Sequence, residues 1–497
     1  MNIPHSYQLF TAQSSRELDE RTISEFGIDG FTLMEIAGTR AADFILQTIE
    51  SQHSGLFLCG KGNNAGDALV VARILSEAGI SCTIYFVFGT ENLSPDCTKN
   101  LDLLKKLGND VHFLSSLEEL ENSAYDFIVD GIFGTGLSSE IKSPTKEVIE
   151  WVNKQHSTTF SMDIPSGLNA DTGEIEGATI SADYTLAFGT LKKGFYLDKA
   201  YDVCGDIVLC ELPFPSGYKT SSTFLIDQVW VDQNRENVKR AHKYDGGVVY
   251  IIAGSEGLTG AAALASQSAW SSGVGGVVLI TPKGLLDVYE KSLVQIIKRP
   301  LGNDKDVFFD SSHLDSVLEI LREKPGVLLI GPGLGRSPET VAFVQSLLSQ
   351  FEGDLVIDAD ALFALSEHSD LQKPERANWI LTPHPGELKK LAEGFEMEEK
   401  NRLELGTSLS TKLNATILSK GLPSQVINNQ QVLMTGYDTR IFSRAGFGDV
   451  LAGKVAGFWL SKKNRELACC FALLDGKEKA DTHSNTSTTP LEPIHLI

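Results

Sequence analysis

Short apolar runs separated by helix-length stretches set the rhythm of the first part of the chain: Leu56–Cys59, Cys82–Phe88, Phe127–Asp130, Thr159–Asp163, Tyr184–Phe188 and Asp206–Leu209. A strand covered on both faces is apolar throughout rather than alternating, so this pattern predicts a mostly parallel sheet with helices packed on it. The stretch Pro213–Ser222 is dense in turn-forming residues and lacks periodicity, and Asp232–Lys243 is polar. Together they predict a linker over residues 216–243. The rhythm then restarts with Val248–Ala253, Gly276–Ile280, Gly326–Ile330, Leu355–Ile357, Trp379–Leu381 and Ala415–Leu418. The Ala- and Ser-rich Gly260–Ser271 suits a helix packed closely on a sheet, and Thr482–Ile497 reads as a polar tail. The expected architecture is α/β, with two tandem domains at 1–215 and 244–497.

Composition narrows the class. A chain of 497 residues with 42% hydrophobic content can bury more than one ordinary core. With 65 acidic against 43 basic residues the net charge is −22. That charge argues against a nucleic-acid partner and against an anionic membrane surface. The start, Met1–Tyr7, shows no basic stretch followed by an apolar one, and no uncharged apolar run reaches the ~18 residues that span a bilayer. A cytoplasmic protein is expected. Cys59, Cys82, Cys97, Cys204, Cys210, Cys469 and Cys470 form neither a zinc-type spacing nor a disulfide framework, and are expected to be small buried hydrophobes.

Two glycine-rich turns carry candidate chemistry: Gly60-Lys61-Gly62-Asn63-Asn64-Ala65-Gly66-Asp67 and Gly446-Phe447-Gly448-Asp449. Helix-like runs follow them, Ala68–Ala78 and Val450–Trp459. Glycine lets a backbone approach a ligand closely, and a helix N-terminus offers free N–H groups to an anion. Asparagine can donate to a phosphate or offer its carbonyl oxygen to a cation. A plain strand-to-helix turn explains the first string equally well. Asp130-Gly131-Ile132-Phe133-Gly134-Thr135-Gly136-Leu137 and Asp163-Ile164-Pro165-Ser166-Gly167-Leu168 place a carboxylate at a strand's C-terminal end, where open parallel sheets bind ligands. Taken singly, either aspartate could be a helix N-cap.

Together with Phe188-Gly189-Thr190-Leu191-Lys192-Lys193-Gly194, these strings resemble the N-terminal domain of the NAD(P)H-hydrate repair enzymes, over roughly Phe10–Leu212. The resemblance implies a Rossmann-like three-layer α/β/α domain that epimerises hydrated NADH or NADPH at the carbon carrying the added hydroxyl. By the same resemblance Asn63, Asn64, Ala65, Gly66 and Asp67 hold the dinucleotide with Gly134, Thr135, Gly136, Leu137, Ser138, Ser139 and Glu140. It implies a potassium ion on Asn64, Asp130 and Ser166, and Asp163 at the reacting ring. Opening and reclosing a hydrated ring needs a proton shuttle more than a nucleophile, and Asp163 is the candidate. Ala65 and Ala68 stand where glycine is common and Ile36 where asparagine is usual. The added methyls are expected to press on the phosphate-hugging turn.

The second half carries Ala253–Ala262, Gly331-Pro332-Gly333-Leu334-Gly335, Asp358-Ala359-Asp360-Ala361-Leu362, Thr382-Pro383-His384-Pro385-Gly386-Glu387, Ser419-Lys420-Gly421 and the closing Gly446–Asp449, in that order. Each admits a turn explanation; as an ordered set they resemble the ribokinase-like fold and, within it, the dehydratase domain of NAD(P)H-hydrate repair, over roughly Val229–Ala480. The resemblance implies an anion hole at Gly446 and Gly448, with Asp449 as the base. Gly260, Ala261, Gly333, His384 and Asp449 would contact the hydrate. Lys420, Gly421, Leu422, Pro423 and Ser424 would hold ADP, with Mg2+ screening the phosphates. Phosphorylating the hydrate's hydroxyl turns a poor leaving group into phosphate, giving NAD(P)H, AMP and phosphate. Departures are Phe447 for threonine, Phe363 for asparagine, and Leu474-Asp475-Gly476-Lys477-Glu478-Lys479-Ala480-Asp481 for Leu-His-Gly-x-Ala-Gly-Asp.

The resemblance thus implies small-molecule substrates (NADHX, NADPHX and ADP) and a homo-oligomer. Two other readings stay open at the level of sequence: a ribokinase-like small-molecule kinase with an ancillary front domain, and a catalytically decayed nucleotide-binding scaffold.

Overall fold

The computed structural model describes residues 7–50, 52–121, 124–137, 139–227, 229, 247–398 and 401–497. The chain divides into two units between Phe224 and Leu225. Among the described residues no helix is long and apolar enough to cross a membrane.

The first unit is built on a sheet in the order Val111–Phe113, Ser81–Phe86, Ser54–Cys59, Phe127–Gly131, Thr158–Met162, Tyr184–Phe188, Asp206–Cys210. Every neighbouring pair in it is parallel. Alternate side chains go to opposite faces: Phe57, Val129 and Phe160 enter one apolar cluster, Leu56, Leu58 and Ile128 another. Both faces are therefore covered, which accounts for the continuous apolar runs. Chain order reverses between Ser54–Cys59 and Phe127–Gly131, the position at which open α/β sheets bind ligands. Leu58, Asp130 and Ser161 share one register level, so the following residues leave the sheet along one edge.

The helix after the first glycine string begins at Asn63, not near Ala68. Ala65 and Ala68 are fully buried in the apolar cluster that holds Ala37 and Cys59. Their methyls face the core and do not crowd the turn, a correction to the expectation from sequence. Close approach is demanded instead at Gly60, where a Cβ would lie 1.9 Å from the Ile132 carbonyl oxygen.

The second unit's sheet runs Thr223–Ile226, Val432–Thr435, Gln425–Ile427, Thr416–Ser419, Asn378–Leu381, Asp354–Ile357, Gly326–Ile330, Val248–Ile252, Gly276–Pro282, Ile297–Leu301. The strands from Thr416–Ser419 to Ile297–Leu301 are parallel, and Gln425–Ile427 and Val432–Thr435 add an antiparallel hairpin. Ile252, Ile330, Ile357, Leu381 and Ile417 lie on one register level. The turns after them, carrying Gly254, Gly331, Asp358, Thr382 and Lys420, therefore leave the same edge. Gly260–Ser271 is helical within Thr259–Ser271, and its neighbour is another helix as much as the sheet. A Cβ at Gly453 of the helix Phe447–Lys462 would stand 2.3 Å from the Ala265 carbonyl oxygen.

Two expectations meet differences. Within the stretch read as a linker, Thr223–Ile226 is an edge strand; its four residues lie among polar neighbours, too short a run to register as a strand. The rest of that stretch, apart from residues 216–222, 227 and 229, lies outside the described residues. The supposed polar tail is largely ordered: the helix Arg465–Thr486 extends into it and a turn follows at Pro493–Leu496. Leu496 is 4% exposed and packs with Phe447, Val450 and Ala480. One leucine on a short turn leaves no period to read.

Candidate active sites

In the first unit, Asp130, the last residue but one of the strand Phe127–Gly131, is fully buried and is held by four donors. Its Oδ1 accepts from Ser166 Oγ at 2.5 Å and the Ile132 amide at 3.2 Å; its Oδ2 accepts from Ser161 Oγ and the Ser166 amide, both at 2.8 Å. Burial raises its pKa, and these donors pull it back only in part. Ser166 Oγ also accepts from the Phe133 amide at 2.8 Å, and Asn64 Nδ2 donates to the Phe133 carbonyl at 2.9 Å. Asn64 is 8% exposed and its Oδ1 has no hydrogen-bond partner. An orphaned amide oxygen together with a backbone carbonyl, a hydroxyl and a carboxylate is an all-oxygen donor set, which fits a hard cation. Asn64, Asp130 and Ser166 thus converge.

Asp163 adopts φ +61°, a conformation that costs a non-glycine residue energy and persists where the surroundings enforce it. Its Oδ1 accepts from the Phe188 amide at 3.1 Å and from Lys192 Nζ at 2.5 Å. Lys192 is 2% exposed and also donates to the Thr190 carbonyl at 3.1 Å. Asp67 stands in the same electrostatic neighbourhood. Burial, reinforced by Asp163 and Asp19, pushes its carboxyl well above the usual range. Lys192 was not singled out as a site residue from sequence, although it sits in the Phe188–Gly194 motif. The signal available was a lysine four residues past the apolar strand Tyr184–Phe188.

Gly66 and Ala65 are buried on the first turn of the helix Asn63–Glu77, while Asn63 is exposed. A Cβ at Gly134 would lie 3.4 Å from Asn64 Cβ, which brings the Gly134 loop over the Asn64 turn. Thr135, Gly136 and Leu137 continue that loop, and Ser139 and Glu140 are exposed beyond it. Ser138 lies outside the described residues.

In the second unit, a cavity of about 560 Å³ opens at the C-terminal edge of the sheet, lined among others by Asp358, His384, Glu387, Lys420, Gly421, Leu422, Ser424, Gly446, Gly448 and Asp449. Asp358, 1% exposed, accepts from Thr382 Oγ1 at 2.7 Å and pairs with Lys420 Nζ at 2.9 Å. Burial alone would lower the Lys420 ammonium, but the Asp358 and Glu387 carboxylates outweigh it and hold the pKa above the ordinary lysine value. Burial raises Glu387 against the pull of Lys420. Asp449 is pushed up to about 7 by burial and then by the Asp358 carboxylate, with Lys420 opposing. A carboxylate poised near neutrality at a helix N-terminus can accept a proton from a hydroxyl.

Gly446 has φ +93° and precedes the helix Phe447–Lys462, so its turn leaves that helix's first amides free of intrahelical partners. Phe447 keeps those amides; its ring, 3% exposed, packs with Val450, Ala480 and Leu496. His384 caps the helix Pro385–Gly394: its Nδ1 accepts from the Gly386 amide at 3.0 Å and the Glu387 amide at 3.3 Å. The proton of the neutral ring therefore sits on Nε2. Arg402 donates to the carbonyls of Lys420 and Leu422 and shapes the Lys420–Ser424 loop.

Gly331 and Gly333 join two further turns. With φ +128°, Gly331 approaches the Asp358 carbonyl so closely that a Cβ would lie 1.7 Å from it; a Cβ at Gly333 would stand 3.0 Å from the Ala261 methyl. Gly333, Ala261 and the adjoining Gly260 form their own cluster, and none of them, nor Pro423, lines the 560 Å³ cavity.

Comparison with known proteins follows the same division. Residues 30–194 match the family described as YjeF-related protein N-terminus, and residues 249–497 match that described as NAD(P)H-hydrate dehydratase. The chain is 33% identical to a bifunctional NAD(P)H-hydrate repair enzyme of Moorella thermoacetica, with 90% of this chain and 87% of that one covered. It is 31% identical to the Salinibacter ruber protein of the same description, with 98% and 95% covered. A solved Bacillus subtilis ADP/ATP-dependent NAD(P)H-hydrate dehydratase, co-crystallised with ATP and Mg2+, is 21% identical and covers 52% of this chain and 90% of its own, at a TM-score of 0.42. The expected pair of α/β units is present, and by sequence the chain belongs to the bifunctional NAD(P)H-hydrate repair enzymes.

Proposed function

We propose that the chain is a cytoplasmic repair enzyme that epimerises R- and S-NAD(P)HX through residues 1–215 and dehydrates S-NAD(P)HX with ADP through residues 244–497. In the first unit Asn63–Asp67 and the Gly134–Glu140 loop bind the dinucleotide, and Asp163 moves the proton at the hydrated ring. Lys192 holds Asp163 in place, and the strained φ at Asp163 fixes its aim. Potassium, held by Asn64 Oδ1, Asp130 and Ser166, would supply positive charge to the site.

In the second unit the observation that carries the reading is Asp449, raised to about 7 directly after the Gly446–Gly448 turn. Asp449 accepts the proton of the hydrate's hydroxyl while its oxygen forms a bond to the β-phosphorus of ADP and AMP departs. The C–O bond then breaks towards phosphate as the lone pair of the ring nitrogen forms an iminium, and loss of a proton from the ring carbon beside the vacated one restores the dihydropyridine. The amides of Gly448 and Asp449 at the start of the helix and the Lys420 ammonium face the developing phosphate charge. Mg2+ would enter with the nucleotide, screening its phosphates. His384 Nε2–H and the Gly260–Ala261–Gly333 cluster are the reading's contacts for the hydrate.

Supplying pure S-NADHX, ADP and Mg2+ should yield NADH, AMP and phosphate in equal amounts. A stable phosphorylated hydrate accumulating without NADH would favour the kinase alternative, and no consumption of ADP would favour a decayed scaffold. Self-association, part of the same reading, is checked by light scattering of the full chain.

A further inference from the structure

Beside the Gly333 cluster stands an arginine that the chemistry above leaves unused. Arg336 lies three residues past Gly333 on the turn that leaves the strand Gly326–Ile330, so their Cα atoms are within about 11 Å of each other. Its Nε donates to Asp360 Oδ1 at 2.7 Å, and its Cζ stands 4.8 Å from the centroid of the Phe363 ring. Asp360 is held in turn by the Gly335 amide, which donates to its Oδ2 at 2.9 Å. One edge and one face of the guanidinium are thereby fixed. With Oδ2 taken by the backbone, the carboxylate does not close on the fork bidentately, and among the described residues neither terminal nitrogen has a hydrogen-bond partner. The side chain is 55% exposed, so the fork is open to solvent.

The charges around it indicate the ligand group. Asp358, Asp360, Glu387 and Asp449 gather at this edge of the sheet, near enough for the first three to raise the proton affinity of Asp449. A dinucleotide brings further negative charge into that field and needs a cation. Its neighbours are committed elsewhere: Lys420 to Asp358, Lys390 to Glu367 at 3.0 Å, and Arg440 to Asp438. Arg336 alone among these four keeps donors to spare, already aimed by Asp360 and by Phe363, the residue that replaces the common asparagine. A planar guanidinium fork matches two oxygens of one phosphate. A dinucleotide seated on Gly333 and Ala261 would bring its phosphates within reach of a side chain three residues away.

We infer that Arg336 binds the substrate of the second unit, its terminal nitrogens donating to a phosphate group of the hydrated dinucleotide, with Asp360 and Phe363 positioning the fork. The inference rests on the dehydration proposed above and adds to it the residue that holds the anionic part of the hydrate.

Steady-state dehydration by the full chain, with S-NADHX or S-NADPHX varied at saturating ADP and Mg2+, tests it. Arg336→Ala should raise the KM for the hydrate about tenfold, the size of a lost hydrogen bond to a charged group. Both kcat and the KM for ADP should stay within about twofold, since the contact is made equally before and during the reaction. A merely structural role would lower Tm without that split. Arg336→Lys keeps the charge but not the fork, so its KM should lie between the two; it also serves if Arg336→Ala fails to fold. An equal rise for both hydrates places the contact on the pyrophosphate, and a rise confined to S-NADPHX places it on the 2′-phosphate; either upholds the inference. A hydrate KM within about twofold of wild type in both variants overturns it, as does a rise confined to ADP or a fall in kcat alone. If the wild type dehydrates S-NADHX with ADP and the variants do so at unchanged KM, Arg336 alone is misassigned. If the wild type dehydrates nothing, the reading of the second unit falls and the inference with it.

Discussion

Lys420 Nζ stands 2.9 Å from Asp358 Oδ1, and Thr382 Oγ1 holds the same oxygen at 2.7 Å, so a buried ion pair ties the turns after three neighbouring strands into one wall. Removing one partner strands the other. Lys420→Met should leave Asp358 as an uncompensated buried charge and cost about 3–5 kcal/mol of unfolding free energy in denaturant titration. Because Lys420 lowers the Asp449 pKa, the variant should also move the acid limb of the dehydration pH profile upward.

Asp449 itself sets that limb. Its raised pKa, about 7, means the proton-accepting form is scarce below neutrality and grows as pH rises through that value. The kcat/KM for S-NADHX should therefore climb between about pH 6 and pH 8. Asp449→Asn should lower dehydration by about 10²–10⁴-fold at every pH, with epimer interconversion unaffected. A flat profile in the wild type would contradict the role.

At the other site, Asp163→Asn should halt epimer exchange, read as loss of R-NADHX conversion by chiral separation, while S-NADHX is still dehydrated. The variant also leaves the ammonium of Lys192, 2% exposed, without its carboxylate. A lowered Tm should accompany the lost activity. The double variant Asp163→Asn, Lys192→Met should regain Tm without regaining exchange, which separates the fold from the chemistry.

Asn64→Leu removes the orphaned Oδ1 while keeping a side chain of similar size. Epimer exchange in the wild type should rise when potassium replaces sodium at constant ionic strength. In the variant the two salts should give the same rate. Potassium stimulation that survives the change would place the cation elsewhere.

The strands that hold the sites were readable in the sequence because both faces of each sheet are covered, leaving unbroken apolar runs such as Gly326–Ile330 and Phe127–Asp130. The glycine turns were readable where backbone approaches backbone, as at Gly60 and Gly331. Edge strands were not: Val111–Phe113 exposes His112 and Phe113, so it carries no buried period. The orientation of Ala65 and Ala68 was also hidden, since a methyl on a first helical turn can face ligand or core, and here the helix begins five residues earlier than its apolar run suggests. The pairs Lys192–Asp163 and Lys454–Asp475 join residues distant in sequence, and only the folded strands and helices bring them together.

The central claim is that one chain both exchanges the epimers and dehydrates one of them. A mixture of R- and S-NADHX supplied with the full chain, ADP, Mg2+ and potassium, and followed by NADH absorbance, tests it most directly. The account predicts recovery of all the hydrate as NADH, with a fast phase equal to the S fraction and a slower one set by epimer exchange. Recovery that stops at the S fraction, or no NADH at all, would contradict it.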